Sequence, residues 1–335
     1  MSIEFDTFSK SAMGGTEIIK YGLQERLPQE LLSKFQIVTD RFDELDDTKI
    51  RLYWCHLNPE YSEQTLKYFG YKNTKPLANN GWNKFHKLIF VSYTQMENWI
   101  QKYDIPRHYC TVMKHAIEPI EIKEKPKNKV VLVHHSNPQG GLSLLVDVFE
   151  KLCEEYDNIE LKVHSSWSIY GMNDWQEEYK NSDLYQRLEA HPKIKNIGYL
   201  PNKELKKSLA SSHIFPYPNI IPETFCLSLL EAMSAGLLCV HSDFGALPET
   251  ASNWTMMYDY HEKIPQHKER FYQKLKKAIE IVNQKETQEH LRKQKEYIDY
   301  LFNWDKRAQD WINLLESLKD LPLKKVSKST SISYQ

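Results

Sequence analysis

The sequence predicts an α/β protein made of two doubly wound units, each a parallel sheet with helices on both faces. Strand-like and helix-like segments alternate through residues 130–241, the order that produces a parallel sheet covered on both sides. Short apolar strand candidates also recur, more widely spaced, before residue 115. Between the halves lies the segment 118–129, EPIEIKEKPKNK, which is charged, holds two prolines and has no apolar periodicity, so it reads as a linker. A length of 335 residues also suits two domains better than one.

In the first half, residues 36–39, 49–56, 87–92 and 110–114 are the strand candidates. In the second of these, Ile50, Leu52 and Trp54 alternate onto one side, and the third, KLIFVS, is an apolar run of buried type. Residues 16–27 read as a helix opened by Gly14 and Gly15. In the second half, 130–134 (VVLVH) is a strand and 142–156 an amphipathic helix, with Leu145, Val148, Phe149, Leu152 and Tyr156 at spacings of three and four. Strand 159–164, helix 174–190, strand 195–200, a helix capped by Asn202 and running to about 211, strand 213–217, helix 225–235 and strand 237–241 follow. The chain then turns helical from 265 to 318. Its Lys/Ser-rich end is expected to be disordered. No repeat of 20–50 residues is present.

Composition narrows the function. With 41% hydrophobic and 12% aromatic residues the chain has material for real cores. Basic and acidic side chains number 44 and 45, a balance that argues against a dedicated nucleic-acid binder. Cys55, Cys110, Cys153, Cys226 and Cys239 are scattered and never spaced as CxxC, so they read as small buried hydrophobes, not a disulfide framework or zinc site. No apolar run approaches the ~18 residues of a membrane span. The first ten residues carry Glu4 and Asp6 and lack the apolar core of a signal peptide. The expected location is the cytoplasm, at most peripheral to a membrane.

The segment that carries chemistry is PETFCLSLLEAMSAG, residues 222–236, in which Glu223 and Glu231 stand eight apart. At 1.5 Å per residue that is roughly 12 Å along a helix axis. A glycosidase needs its carboxyls within ~9.5 Å of each other, so this pair does not suit hydrolysis. It suits one elongated ligand wrapped around a helix N-terminus, with the N–H groups near Phe225, Cys226 and Leu227 facing a diphosphate. The bland alternative makes Glu223 a helix cap and Glu231 a surface ion-pair partner. The flanking Leu229, Leu230, Ala232 and Met233 argue for a helix buried on most sides instead, where an ionised glutamate needs partners.

This segment resembles the E-x7-E motif of retaining glycosyltransferases of the GT-B type, and the chain is similar to glycosyltransferase family four. The resemblance implies the GT-B fold, two Rossmann-like domains facing each other across a cleft. It implies an acceptor-side domain at 1–122, a donor domain at 123–303, and a Trp-bearing helix at 304–320 returning to the first domain before a tail at 321–335. It further implies a hexosyltransferase that moves sugar from a nucleotide-sugar donor, such as a UDP- or GDP-sugar, to a glycan or lipid-linked acceptor in polysaccharide biosynthesis. Configuration is retained without a protein nucleophile, a cofactor or a metal. Glu231 would hold the ribose, and Glu223 hydroxyls of the transferred sugar. Gly14 and Gly15 match a glycine pair of the family, the loop holding Tyr199 and Leu200 would pack on the base, and His56 would lie near the sugar.

One departure stands out. Where the family carries an arginine and a lysine for the leaving diphosphate, this chain reads His134-His135-Ser136-Asn137-Pro138-Gln139-Gly140-Gly141. Ser136, Asn137, Gln139 and backbone N–H groups are left to bind phosphate, Gly140 stands where the arginine belongs, and an arginine introduced there is expected to tighten diphosphate binding. The two histidines have no partner at metal spacing and read as strand-end packing. The missing cations favour, as the rival, a non-catalytic protein that binds nucleotide sugars or glycans. A Rossmann oxidoreductase lacks its GxGxxG, and the basic stretch 268–277 reads first as a solvated helix face, or as a membrane-facing element if the acceptor is lipid-linked.

Overall fold

The computed structural model describes residues 14–39, 44–61, 77–165 and 182–325. They fall into two compact units, the first from 20–114 and 307–325, the second from 115–306 with 14–19. The first ten residues and the end of the chain beyond 325 lie outside the described residues, as does the start of the helix expected at 174–190.

The first unit holds α1 (Gly15–Gln24, its first turn counted with the second unit), α2 (Gln29–Leu32), β1 (Phe35–Val38), β2 (Ile50–Cys55), β3 (Lys87–Phe90), α3 (Tyr93–Tyr103) and β4 (Cys110–Val112). Its described strands pair in parallel in the order β1-β2-β3-β4. The alternation expected along β2 does not become a buried and a wet face, because all six of its residues are buried. Parallel sheets are covered on both faces, so the polar-looking position must be buried too. That position is Arg51. Its guanidinium is satisfied inside, donating to Lys84 O at 2.9 Å, Asp47 Oδ1 at 2.5 Å and Lys324 O at 2.8 Å. Helix α3 fills the stretch between the strand candidates 87–92 and 110–114; Ser92 caps it, its hydroxyl accepting from the Gln95 N–H at 3.0 Å.

The second unit follows as β5 (Val130–His134), α4 (Leu142–Cys153), β6 (Ile159–Val163), α5 (Asp183–Ala190), β7 (Ile194–Asn196), α6 (Asn202–Ala210), β8 (Ile214–Tyr217), α7 (Leu227–Ser234), β9 (Leu238–Ser242), α8 (Leu247–Ala251), β10 (Met256–Tyr258), α9 (Ile264–Ile281) and α10 (Lys285–Leu301). The strands form one parallel sheet in the order β10-β9-β8-β5-β6-β7. The chain therefore winds one way from β5 through β6 to β7, then restarts beside β5 and winds the other way from β8 to β10. Leu132, Leu145, Phe149, Leu161, Phe271 and Leu275 form the heart of the core between sheet and helices. The last helix, α11 (Trp304–Leu318), belongs from Arg307 on to the first unit, where Trp311 packs edge-on to Trp54 at 4.9 Å.

Several local expectations shift. The strand expected at 195–200 ends at Asn196, and 197–200 is loop. Asn202 is the first helical residue and not the cap; Pro201 stands at that position without a side-chain bond. The expected linker 118–129 is tied to the second unit, with Ile120 N–H donating to Ser234 Oγ at 3.0 Å and Lys123 N–H to Ala210 O at 3.2 Å. The division of the units falls at Lys114 and His115. The basic stretch 268–277 is partly consumed in ion pairs, Lys268 with Asp147 at 3.0 Å and Lys276 with Glu155. No helix among the described residues is long and apolar enough to cross a membrane.

These interiors can be tested in two ways. Arg51→Ala removes one donor from each of two backbone carbonyls and from Asp47, and is expected to cost about 2–3 kcal/mol in urea unfolding. The same change should speed tryptic cleavage at Lys324, whose carbonyl it releases; unchanged stability and cleavage would refute the network's role.

The second test concerns pH. Burial pulls His134, His164, His213 and His241 down to about 4. Their folded values lie below the unfolded value of roughly 6.5, so their contribution is complete above that pH and is lost as pH falls towards 4. The wholly buried His134 and His241 should each withdraw about 1.4 kcal/mol by pH 5.5. Melting followed from pH 7.5 to 5.5 should show a fall of several degrees.

Candidate functional site

The reversal of winding places a switch point at the carboxyl ends of β5 and β8, which are neighbours through Leu132 and Ile214. Ligands of doubly wound sheets bind outside such a point. The segment after β5 is His135–Gly141, and the segment after β8 runs from Pro218 to Cys226 and into α7. The sequence-selected motif and the cation-poor segment thus meet at one edge.

The run from Tyr217 to Glu223 is pinned by two glycines. Gly141 has φ +101°, and a Cβ there would lie 2.2 Å from Pro218 O. Gly245 has φ +65°, and a Cβ there would lie 2.6 Å from both the N and the O of Glu223. No other residue fits either contact without backbone movement. Gly245 pairs with Glu223 as a parallel bridge, and Ala246 N–H donates to Glu223 O at 2.9 Å. Between them the buried Asn219 closes a turn, accepting from Ile221 N–H at 3.1 Å and donating to Ile221 O.

Glu223 therefore does not cap the helix. The helix begins at Leu227, not at Phe225, so its first N–H groups belong to Leu227, Ser228 and Leu229. The Phe225 side chain turns into the interior, edge-on to His115 at 5.1 Å and 6.2 Å from Phe302. Cys226 is buried, and burial pushes its thiol well above the usual range. The Glu223 carboxyl accepts from Tyr217 Oη. Burial pushes that carboxyl up to about 7, with the tyrosine bond pulling the other way.

Glu231 lies in the second turn of α7, whose Leu229, Leu230, Ala232 and Met233 are wholly buried. It is not a surface ion-pair partner. Its carboxyl is 15% exposed and stands 3.7 Å from Nε2 of His135, whose side chain is 1% exposed. Neither ring nitrogen of His135 has a hydrogen-bond partner among the described residues. Ser228, one turn before Glu231, donates to His135 O at 2.9 Å, so helix and strand end are joined twice. His135 is thus more than strand-end packing. Its adjacency to Glu231 is a pairing across 96 residues that no local pattern announces. Tyr217 was missed for the same reason, read only as the end of a strand.

The remaining candidates are spread more widely. Ser136 donates to Tyr217 Oη at 3.4 Å and its carbonyl accepts from Ser165 Oγ at 2.6 Å. Gln139 is exposed in the turn Pro138–Gly140, whose start Asn137 caps by accepting Gly140 N–H at 2.8 Å. Gly140 cannot simply become arginine: a Cβ there already meets Tyr217 Cε2 at 3.2 Å and Oη at 3.3 Å. The added charge would displace the tyrosine before reaching a phosphate, and the expected gain in affinity is withdrawn. Gly14 precedes α1, and a Cβ on Gly15 would meet Leu227 Cδ1, at the start of α7, at 3.1 Å. Tyr199 lies exposed in the loop after β7 with Leu200 beside it. His56 follows β2 in the first unit, its ring 4.7 Å from that of Trp54. A groove of about 600 Å³, lined by Lys123, Lys125, His213, Gly236 and Arg292, lies at the opposite, amino edge of β8 and β9.

One subunit of the human phosphatidylinositol N-acetylglucosaminyltransferase is 25% identical over 167 residues, which is 48% of this chain and 33% of that protein. The chain spans about a third to a half of the length of the curated relatives it matches. Among solved structures, a glycosyltransferase from Rickettsia africae superposes with a TM-score of 0.66 at 15% identity, over 96% of this chain and 85% of that one. Anabaena HepE in complex with UDP gives 0.63 at 18% identity, over 81% and 73%. These likenesses give the fold, GT-B. The family model for glycosyl transferases group 1 matches residues 113–297, more than half of the 335 residues, and the chain belongs to that family.

Proposed function

We propose that the chain is a glycosyltransferase that binds a nucleotide-sugar donor at the carboxyl edge of β5 and β8 and transfers the sugar with retention of configuration. One observation carries this above the others. Two carboxyls of the family-matched segment, Glu223 and Glu231, are each set beside a buried partner, Tyr217 and His135, at the switch point where such a fold receives ligands. Glu231 takes the ribose hydroxyls and Glu223 those of a transferred hexose. The first N–H groups of α7 lie between them for the diphosphate. The departing phosphate accepts the acceptor's proton, and the protein contributes positioning and charge stabilisation. Anabaena HepE, solved with UDP, supports a UDP-sugar as the first donor to try, and the likeness to the human phosphatidylinositol-modifying transferase supports a lipid-linked acceptor, with a soluble glycan as the alternative. The second unit, 115–306, is the donor domain in this reading.

A second reading is favoured by the run His135–Gly141, which holds no lysine or arginine. It makes the chain a binder of nucleotide sugars without turnover. Nucleotide release from UDP- and GDP-sugars separates the two, since a binder is stabilised by the donor yet releases nothing.

Glu231→Gln should weaken nucleotide binding by about tenfold to a hundredfold in calorimetry, the worth of one charge-assisted contact. Glu223→Gln should leave that affinity within about twofold and slow transfer instead. Wild-type nucleotide affinity in Glu231→Gln would remove the assignment.

Transfer is also expected to persist in EDTA. No group of three His, Cys, Asp or Glu side chains stands at ligand spacing among the described residues. Strict dependence on added Mn²⁺ or Mg²⁺ would place the phosphate chemistry elsewhere.

A further inference from the structure

Tyr217, the last residue of β8, is wholly buried. Its ring stacks on Phe215 at 5.5 Å and lies 6.1 Å from the His134 ring. Its far edge faces Gly140, where a single added carbon would stand 3.2 Å from Cε2. The phenol is thus boxed on its sides, and only the hydroxyl reaches polar groups. It donates to Glu223 Oε1 and accepts from Ser136 Oγ at 3.4 Å. Burial holds the phenol well above its usual range, so it remains a donor. The backbone of Glu223 is meanwhile fixed by Gly245. With backbone and one carboxyl oxygen both held, the other oxygen, Oε2, is the one without a partner among the described residues.

We propose that Tyr217 is the positioning residue of the site, holding Oε1 of Glu223 so that Oε2 is presented to a hydroxyl of the transferred sugar, with Gly140 as the residue that makes room for it. The proposal rests on the reading of Glu223 as the sugar-binding carboxyl. Ser136 orients the phenol, and a residue larger than glycine at 140 pushes the ring off the carboxyl. The titratable groups that face Glu223 are Tyr217 from β8 and the Cys226 thiol from its own segment. No lysine or arginine contributes, so the tyrosine bond alone opposes the rise that burial imposes. Removing it lifts the carboxyl further above 7, so that less of it is ionised at neutral pH.

The test uses the full chain labelled with ¹³C at glutamate carboxyls, with Glu223→Gln to assign the signal. In Tyr217→Phe the Glu223 signal should titrate about 1 pH unit higher than in wild type, the usual size of one lost hydrogen bond to a charged form. The acid limb of transfer from the donor should move up with it. Turnover should fall about tenfold or more while nucleotide affinity, held at Glu231, stays within about twofold. Gly140→Ala should show the same changes in smaller measure, and melting curves confirm that each variant is folded. An unmoved Glu223 titration and unchanged turnover in folded Tyr217→Phe overturn the proposal. If the titration moves but wild type binds no nucleotide and transfers no sugar, the tyrosine–glutamate clamp stands and the transferase reading falls.

Discussion

The backbone contact between Gly245 and Glu223 is the constraint on which the rest of the site depends. A Cβ at 245 would sit 2.6 Å from two backbone atoms of Glu223, so the loop after β9 reaches the segment after β8 only because that position is glycine. Gly141 does the same for Pro218 from the loop after β5. Loops leaving three adjacent strands therefore share one short stretch of chain. That stretch cannot move without moving the start of α7, and with it Glu231. Positioning by backbone packing is stiff, because no rotamer change relieves it.

Charge is handled in an unusual way around this scaffold. The carboxyl edge is rich in buried histidines and holds no arginine or lysine between His135 and Gly141. His134 and His164 are held neutral by burial. A partly dehydrated edge strengthens each dipole in it, since fewer waters screen it. In the proposed reading, hydroxyls, helix N–H groups and the Glu223 carboxyl carry the recognition there. Arg51 in the first unit illustrates the other solution, a full charge enclosed by one carboxylate and two carbonyls, which holds the backbone at Lys324.

Parts of this were legible in the sequence because they are local. The strand VVLVH, the helix 142–153 with its apolar spacing, the motif 222–236 and the buried character of α7 all follow from periodicity and residue type over one or two turns. The short elements α8 and β10 escaped because five and three residues hold too little pattern. The start of α7 was misplaced by two residues, since Phe225 and Cys226 look helical in composition but are drawn inward by His115 and Phe302. The crowding at Gly140 has no local sign, because its neighbour, Tyr217, lies 77 residues away in sequence.

By itself, then, the sequence determined the α/β class, the two-unit build and the segment that holds Glu223 and Glu231. These depend on hydrophobic periodicity and on the chemistry of one contiguous motif. Tertiary structure alone decided that β5 lies beside β8, that His135 stands under Glu231, and that Tyr217 holds Glu223. The order of strands in a parallel sheet is set by how whole layers of side chains pack, and a pairing across 80 or 90 residues leaves no local trace. The two carboxyls could be named from the chain, but the groups that orient them became visible only when the sheet brought its strand ends together.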